Sequence, residues 1–102
     1  MAEHRKHHRV PVSFNVTCVR EDTTAFEGVA KDVSIGGMFI ESEHVPAFGS
    51  PITIVAVGLT ARELRLPGLV RWAEPRGFGV QFGLLGAYAT RAIVDLVKKQ
   101  TP

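Results

Sequence analysis

Apolar and polar residues alternate along most of this chain, and this period of two is typical of β-strands with one buried face. The segment 10–19 shows it most clearly, because alternate residues place one apolar face together: Val12, Phe14, Val16 and Cys18. Further strand segments follow, separated by short turns: 25–33, 38–42, 52–57, 61–74 and 78–82. Pro67 and Gly68 interrupt the fifth segment, so we expect a bend or a bulge there.

The periodicity changes after residue 82. From Leu85 to Leu96, apolar residues recur every three or four positions with charged residues between them, which predicts an amphipathic helix of about three turns. Six short strands followed by one helix predict a mainly β fold, a six-stranded antiparallel barrel whose helix covers an open end or a flank. We expect Cys18, Trp72 and Phe82 in its core, with a wall of a ligand site as the alternative for Trp72.

Length and composition narrow the class of protein. The 102 residues, 45% of them hydrophobic and 22% charged, fit one soluble globular domain. No apolar run approaches the roughly 20 residues of a membrane-spanning helix, and the polar, basic first residues lead us to expect no secretory signal. The single cysteine has no partner, as is usual in a reducing cytoplasm. We expect a cytoplasmic monomer or weak dimer without membrane insertion.

Basic residues are concentrated near the N-terminus, although the net charge is only +2. Arg5, Lys6 and Arg9 lie in one run with three histidines, opposed only by Glu3. Such a local patch suits a small anionic ligand better than nucleic acid, which usually needs a broad basic face and aromatic residues for base stacking. We therefore expect no nucleic-acid partner.

The histidines of this run raise two further possibilities, a metal site and an enzyme. His4, His7 and His8 are spaced so that their imidazoles could bind one transition-metal ion. We expect the N-terminal segment that carries them to be flexible, and a flexible segment is poorly preorganised for a metal. We therefore expect neither a metal nor a cofactor. His7 and His8 are better explained as ligand contacts or titratable charge. Catalysis is not expected, because the histidines cluster in the N-terminal segment, away from any nucleophile. Asp32 also has no second carboxylate at a spacing that would let the two share a metal ion.

Two short motifs carry the candidate chemistry. Arg5 and Arg9 form an R-x-x-x-R immediately before the first strand, and residues 32–37 form a D-x-S-x-x-G between the second and third strands. A guanidinium fork meets two acceptors at once, which suits phosphate oxygens and the paired acceptors of a purine edge. The carboxylate of Asp32 only accepts hydrogen bonds, which suits a ligand that presents N–H donors. The second motif alone also fits a plain turn, and the arginines favour the ligand site.

In this order, with the ending VRWAEPRGFGVQF and a terminal helix, the motifs resemble the PilZ domain, the bacterial receptor for cyclic di-GMP. The resemblance runs from about His4 to about Lys99, and it implies a flexible N-terminal arm, residues 1–9, followed by a PilZ-type barrel with its helix, residues 10–102. The implied ligand contacts are Arg5, Arg9, Asp32, Ser34 and Gly37. Possible auxiliary contacts are His4, Lys6, His8, Gly36, Arg71 and Trp72.

The resemblance implies a receptor that orders its arm around cyclic di-GMP and signals to a separate, unknown partner protein. Many family members carry a second arginine beside the first, where this chain has His4 and Lys6. An imidazole can stack on a second guanine, so His4 favours an intercalated pair of ligands. The alternative is a PilZ-like adaptor that works through protein contacts without nucleotide. The presence of both motif arginines, Arg5 and Arg9, argues against this alternative.

Overall fold

The computed structural model describes residues 8–100 and, at Gln100, the backbone alone. Seven elements follow one another along the chain: β1 (Val10–Arg20), β2 (Ala25–Val33), β3 (Gly37–Glu41), β4 (Pro51–Ala56), β5 (Leu64–Glu74), β6 (Gly77–Phe82) and α1 (Ala87–Gln100). The predicted strands are all present, with bounds that differ by up to three residues. The N-terminal arm, apart from its last two residues, lies outside the described part of the chain.

The six strands form a closed antiparallel barrel in the order β1-β2-β3-β6-β5-β4. β1 closes the ring by pairing with β2 on one side and with β4 on the other, where Thr17 lies opposite Val55. The predicted six-stranded barrel with a C-terminal helix is therefore confirmed. Closure leaves no sheet edge exposed for pairing with another chain.

The core fills the inside of the barrel with apolar side chains from every strand. These side chains are almost completely buried: Val16, Cys18, Ala30, Ile40, Ile54, Leu66, Val70 and Val80. Helix α1 adds Ala89, Ile93 and Val97, which recur every fourth residue and form one buried stripe. Phe82, which was predicted to lie in the core, is partly buried and packs against it. Within residues 8–100, no helix is both long and apolar enough to cross a membrane.

A β-bulge in β5 overturns the prediction that Trp72 belongs to the core. Val70 pairs with Val80, whereas Trp72, two residues on, pairs with the next residue of β6. Arg71, the extra residue between them, reverses the alternation of inward- and outward-facing side chains along β5. Val70 is consequently fully buried and Trp72 is 39% exposed on the outer wall. The bend predicted at Pro67 and Gly68 is misplaced, since both residues keep regular pairing with β4.

A second bulge acts in the same way on β2. Ala30 pairs with Ile40, but Asp32 pairs with the residue adjacent to Ile40 on β3. Ala30 and Val33 are both fully buried, and Asp32 between them has a side chain that is 34% exposed. Without the bulge, strict alternation from Ala30 would turn the Asp32 carboxylate into the apolar core. A register shift between Pro11 and Phe14 interrupts β1 beside it.

Cys18 is confirmed as a buried thiol, with no exposed surface. Burial, assisted by the nearby Glu27 carboxylate, raises the pKa of Cys18 to about 12, although Arg20 opposes the shift. Because only the thiolate is nucleophilic, we expect iodoacetamide at pH 8 to leave the folded protein unmodified and to alkylate it rapidly in denaturant. Mass spectrometry measures both rates. Because the pKa is raised on folding, the contribution of this thiol to stability is fully present below its unfolded pKa and is lost as the pH rises toward 12.

Candidate ligand-binding site

A row of paired residues crosses five neighbouring strands on the outer wall of the barrel. Pro11 of β1 lies opposite Asp32 of β2, and Asp32 lies opposite Phe39 of β3. Phe39 in turn lies opposite Gly79 of β6, which faces Trp72 of β5. Side chains directly opposite one another on a sheet lie close enough to interact. The row therefore brings together residues that are up to 61 positions apart in the sequence, from Pro11 to Trp72.

Arg9 immediately precedes β1 and packs onto this row. Its Nε and Nη2 atoms donate to Oδ1 of Asp32 at 3.0 and 2.5 Å. Its guanidinium carbon also lies 5.3 Å from the ring centroid of Trp72, within the range of a cation–π contact. The Arg9 side chain is only 14% exposed. The sequence prediction thus placed Arg9 and Asp32 at one site, and the structure brings them into direct contact.

Two aromatic rings form the floor of the site. Phe39 and Trp72 lie nearly parallel, with an angle of 16° between their planes and 6.3 Å between their centroids. Phe39 was not among the predicted site residues. It was missed because its position follows from the pairing of β3 with β6, which no local sequence signal reports.

An open cavity of about 590 Å³ lies over this floor. It is lined by residues of β1, β2, β3 and β5 together with the residue preceding β1: Arg9, Val10, Pro11, Lys31, Asp32, Phe39, Trp72 and Glu74. Its charged groups are two cations, Arg9 and Lys31, and two carboxylates, Asp32 and Glu74. Such a cavity offers hydrogen-bond acceptors, cationic donors and a flat apolar surface to a single ligand.

Ser34 shapes the loop that joins β2 to β3. Its hydroxyl accepts hydrogen bonds from the backbone N–H groups of Gly36 at 3.1 Å and Gly37 at 3.2 Å. Its own backbone N–H donates to the carbonyl of Gly37 at 2.8 Å. Only 3% of Ser34 is exposed, and it is not part of the cavity lining. In the described structure its hydroxyl is therefore engaged with the loop.

Gly37 has a structural reason to be glycine that differs from the expected one. A glycine at this place in the motif would let the backbone approach the ligand closely and adopt torsions forbidden to other residues. Among residues 8–100, however, the glycines with positive φ are Gly49 and Gly58. At Gly37 a Cβ atom would lie 2.3 Å from the backbone carbonyl oxygen of Val80. The close pairing of β3 with β6 requires the glycine.

The comparisons with known proteins agree with this architecture. The family model of the PilZ domain matches residues 3–99. The chain belongs to the PilZ domain family. No curated protein matches the chain in sequence.

Solved PilZ structures have the same fold. The PilZ domain of CeSA from a cellulose-synthesizing bacterium is 25% identical, with a TM-score of 0.75, and the match covers 90% of this chain and 96% of that one. The PilZ domain of Escherichia coli YcgR, solved with cyclic di-GMP, is 11% identical with a TM-score of 0.73 over 96% and 92% of the two chains. The Bacillus subtilis inhibitor of motility MotI is 14% identical with a TM-score of 0.75, and the match covers 97% of this chain and 52% of that one.

The remaining predicted contacts of this PilZ domain lie elsewhere or outside the described residues. Arg71 is the extra residue of the β5 bulge, and its guanidinium carbon lies 5.6 Å from the ring centroid of Phe48 rather than in the cavity lining. His8 is exposed beside Arg9, and Gly36 accepts a backbone hydrogen bond from Phe82 at 2.9 Å. Three others precede the described part of the chain: His4, Arg5 and Lys6.

The metal alternative concerned His4, His7 and His8, of which the structure describes His8 alone. Within residues 8–100, no group of three or more histidine, cysteine, aspartate or glutamate side chains is placed to hold a metal ion. The described site therefore supplies cations, carboxylates and aromatic rings as its working groups.

Proposed function

We propose that this PilZ domain is a receptor for cyclic di-GMP. The observation that carries the proposal is the position of Arg9, fixed between the Asp32 carboxylate and the Trp72 ring at an open cavity. Cyclic di-GMP combines two phosphates with two flat guanines. The site offers a cation for the phosphates, an acceptor for guanine and an aromatic surface beside them.

Arg9 supplies the charge and the geometry for an anionic purine ligand. A guanidinium carries five N–H donors in a rigid plane, and the pair with Asp32 uses two of its nitrogens. The plane is therefore held in a fixed direction before the ligand arrives, which reduces the entropy lost on binding. We propose that Arg9 and Arg5 together bind phosphate and a guanine edge.

Asp32 and Trp72 supply the complementary contacts in this proposal. The half-exposed carboxylate is suited to accept hydrogen bonds from the Watson–Crick edge of guanine. The ring of Trp72 offers a face on which a base or the Arg9 guanidinium can stack. Ser34 and Gly37 support these contacts through the loop that they hold. We also propose that Ser34 and Gly37 contact the ligand themselves.

We also propose that ligand binding orders residues 1–9 over the site and that a separate protein detects the new surface. The support for this step is that Arg5 belongs to the same motif as Arg9, which lies in the described site. A segment that folds on binding loses conformational entropy, which the contacts of Arg5 would offset. The proposal places this signalling in the cytoplasm.

Calorimetric titration with cyclic di-GMP tests the proposed function. We expect saturable heat with a stoichiometry of one or two ligands, and Trp72 offers a second signal because it is the single tryptophan of the chain. Its emission should change over the same ligand range, since the ligand would occupy the cavity that Trp72 lines. Folded protein that gives no heat at tens of micromolar ligand would overturn the proposal and leave the nucleotide-independent adaptor.

Cyclic di-AMP is the control ligand for this titration. It has the same phosphate ring but presents a different Watson–Crick edge, so the acceptor at Asp32 should favour the guanine compound. Equal affinity for both ligands would contradict the role assigned to Asp32.

A further inference from the structure

Gly79 occupies the middle of the aromatic floor and has no side chain of its own. It lies opposite Phe39 on β3 and opposite Trp72 on β5. Two strand spacings separate β3 from β5, which amounts to about 9–10 Å. The ring centroids of Phe39 and Trp72 are nevertheless only 6.3 Å apart. The two rings therefore converge over Gly79.

The fit of Trp72 over Gly79 is close. A Cβ atom at Gly79 would lie 2.4 Å from each of three carbon atoms of the indole ring. These are the nearest atoms that such a Cβ would meet, so the conflict lies with a side chain that can turn away. Gly77, the next outward-facing position of β6, differs because its Cβ would meet the backbone carbonyl of Ile40 at 2.5 Å as well as the Phe39 ring.

The position of the Trp72 ring also bears on Arg9. The guanidinium carbon lies 5.3 Å from the centroid of that ring while it donates to Asp32. A ring raised from the sheet by a methyl group would enter the space that the guanidinium occupies. Gly79 is therefore linked to Arg9 through a single intermediate, the indole of Trp72.

We propose that Gly79 is a positioning residue for the ligand site, because its missing side chain lets Trp72 lie flat and keeps Arg9 in its binding orientation. This inference rests on the proposed function for its ligand, cyclic di-GMP. It goes beyond that function by assigning a role to a residue outside the two ligand-binding motifs, R-x-x-x-R and D-x-S-x-x-G. The role is assigned to contact with Trp72, because the three atoms nearest to a Cβ at Gly79 all belong to its ring.

A double-mutant cycle between Gly79→Ala and Trp72→Ala tests this assignment. We expect Gly79→Ala and Trp72→Ala each to weaken cyclic di-GMP binding roughly tenfold, the scale of a lost cation–π and stacking contact. In the Trp72→Ala background, Gly79→Ala should have no further effect, since the ring through which it acts is gone. Calorimetry measures all four affinities. The same loss in both backgrounds, or no loss in either, would overturn the assignment.

Two ligand-free measurements separate this inference from the proposed function. Gly79→Ala should shift Trp72 emission to longer wavelength as the ring enters water, and should reduce the ring-current shift of the Arg9 Hδ protons in NMR spectra. Gly86→Ala is the matched control, because a Cβ at Gly86 meets nothing within 4 Å, and it should change neither signal. If wild-type protein binds no cyclic di-GMP but these shifts occur, the proposed function fails and the positioning role stands. Unchanged signals in Gly79→Ala would overturn the role itself.

The stability of the variants provides the last distinction. If Gly79→Ala fails to fold, the double variant with Trp72→Ala should fold again because the conflicting ring has been removed. Recovery of the circular dichroism spectrum and of the melting transition in the double variant would support the assignment. A double variant that also fails to fold would show that Gly79 is required by the backbone, and would overturn it.

Discussion

Replacing Arg9 with alanine should abolish cyclic di-GMP binding and leave the barrel folded. The change removes the cation that contacts both Asp32 and Trp72, and hydrogen bonds from a charged donor are about twice as strong as neutral ones. We expect affinity to fall by at least about a hundredfold. Because Arg9 precedes β1 and Asp32 remains partly exposed to water, the free energy of unfolding should fall by no more than about 1 kcal/mol. Calorimetry measures the affinity and thermal denaturation measures the stability.

Two controls identify the property of Arg9 that matters. Arg9→Lys keeps the charge but loses the planar fork, so it should recover only a small part of the affinity. Arg65→Ala removes an arginine of similar charge that pairs with Glu63 on an exposed surface, and it should bind as the wild type does. If Arg9→Ala unfolds the protein, Arg9 has a structural role and its assignment as a ligand contact is wrong.

The barrel itself could be predicted from the sequence because its signals are local. Alternation along β1 separates buried Val16 and Cys18 from the residue between them, and the pattern holds from Val10 to Val19. The change to a period of three or four residues predicts α1, whose buried stripe includes Ile93. The connections between strands range from two residues, between β5 and β6, to nine, between β3 and β4. Local periodicity and closure of the sheet together determine the fold class.

The composition of the site could be predicted only in part, because bulges decide which side chains reach the outer wall. Trp72 was expected in the core since alternation from Val70 turns it inward. A bulge depends on how two strands pair, and the residues concerned are distant in sequence. The motif residues Arg9 and Asp32 were found through the family resemblance. Phe39 and Gly79 lie outside the two ligand-binding motifs, and their role follows from the cross-strand row.

Gly37 illustrates how a motif residue can be identified for a reason other than its physical role. The family resemblance implied a contact between Gly37 and the ligand. The structure places Gly37 opposite Gln81, with the carbonyl oxygen of the neighbouring Val80 where a side chain would begin. This oxygen belongs to the backbone of β6 and cannot rotate away as a side chain does. The glycine is therefore required before any ligand binds.

Gly37→Ala should consequently destabilise the apo protein strongly. A Cβ placed 2.3 Å from the Val80 oxygen forces β3 away from β6 at the start of their pairing. We expect the free energy of unfolding to fall by about 2–4 kcal/mol, and the melting temperature by roughly 10 °C or more. Thermal denaturation without ligand measures the effect. Gly83→Ala is the control, because its Cβ would lie 3.6 Å from the Pro67 carbonyl oxygen, an ordinary contact, and it should melt close to the wild type.

Ligand binding by Gly37→Ala, measured well below its melting temperature, separates the two roles of the residue. If the glycine serves strand pairing, the folded fraction should still bind cyclic di-GMP, with a lower apparent affinity set by that fraction. Arg9→Ala should show the opposite combination, a stable protein without affinity. A Gly37→Ala variant that melts as the wild type does and yet binds nothing would contradict the structural role. It would instead place the ligand against the backbone of this loop, as the motif alone suggested.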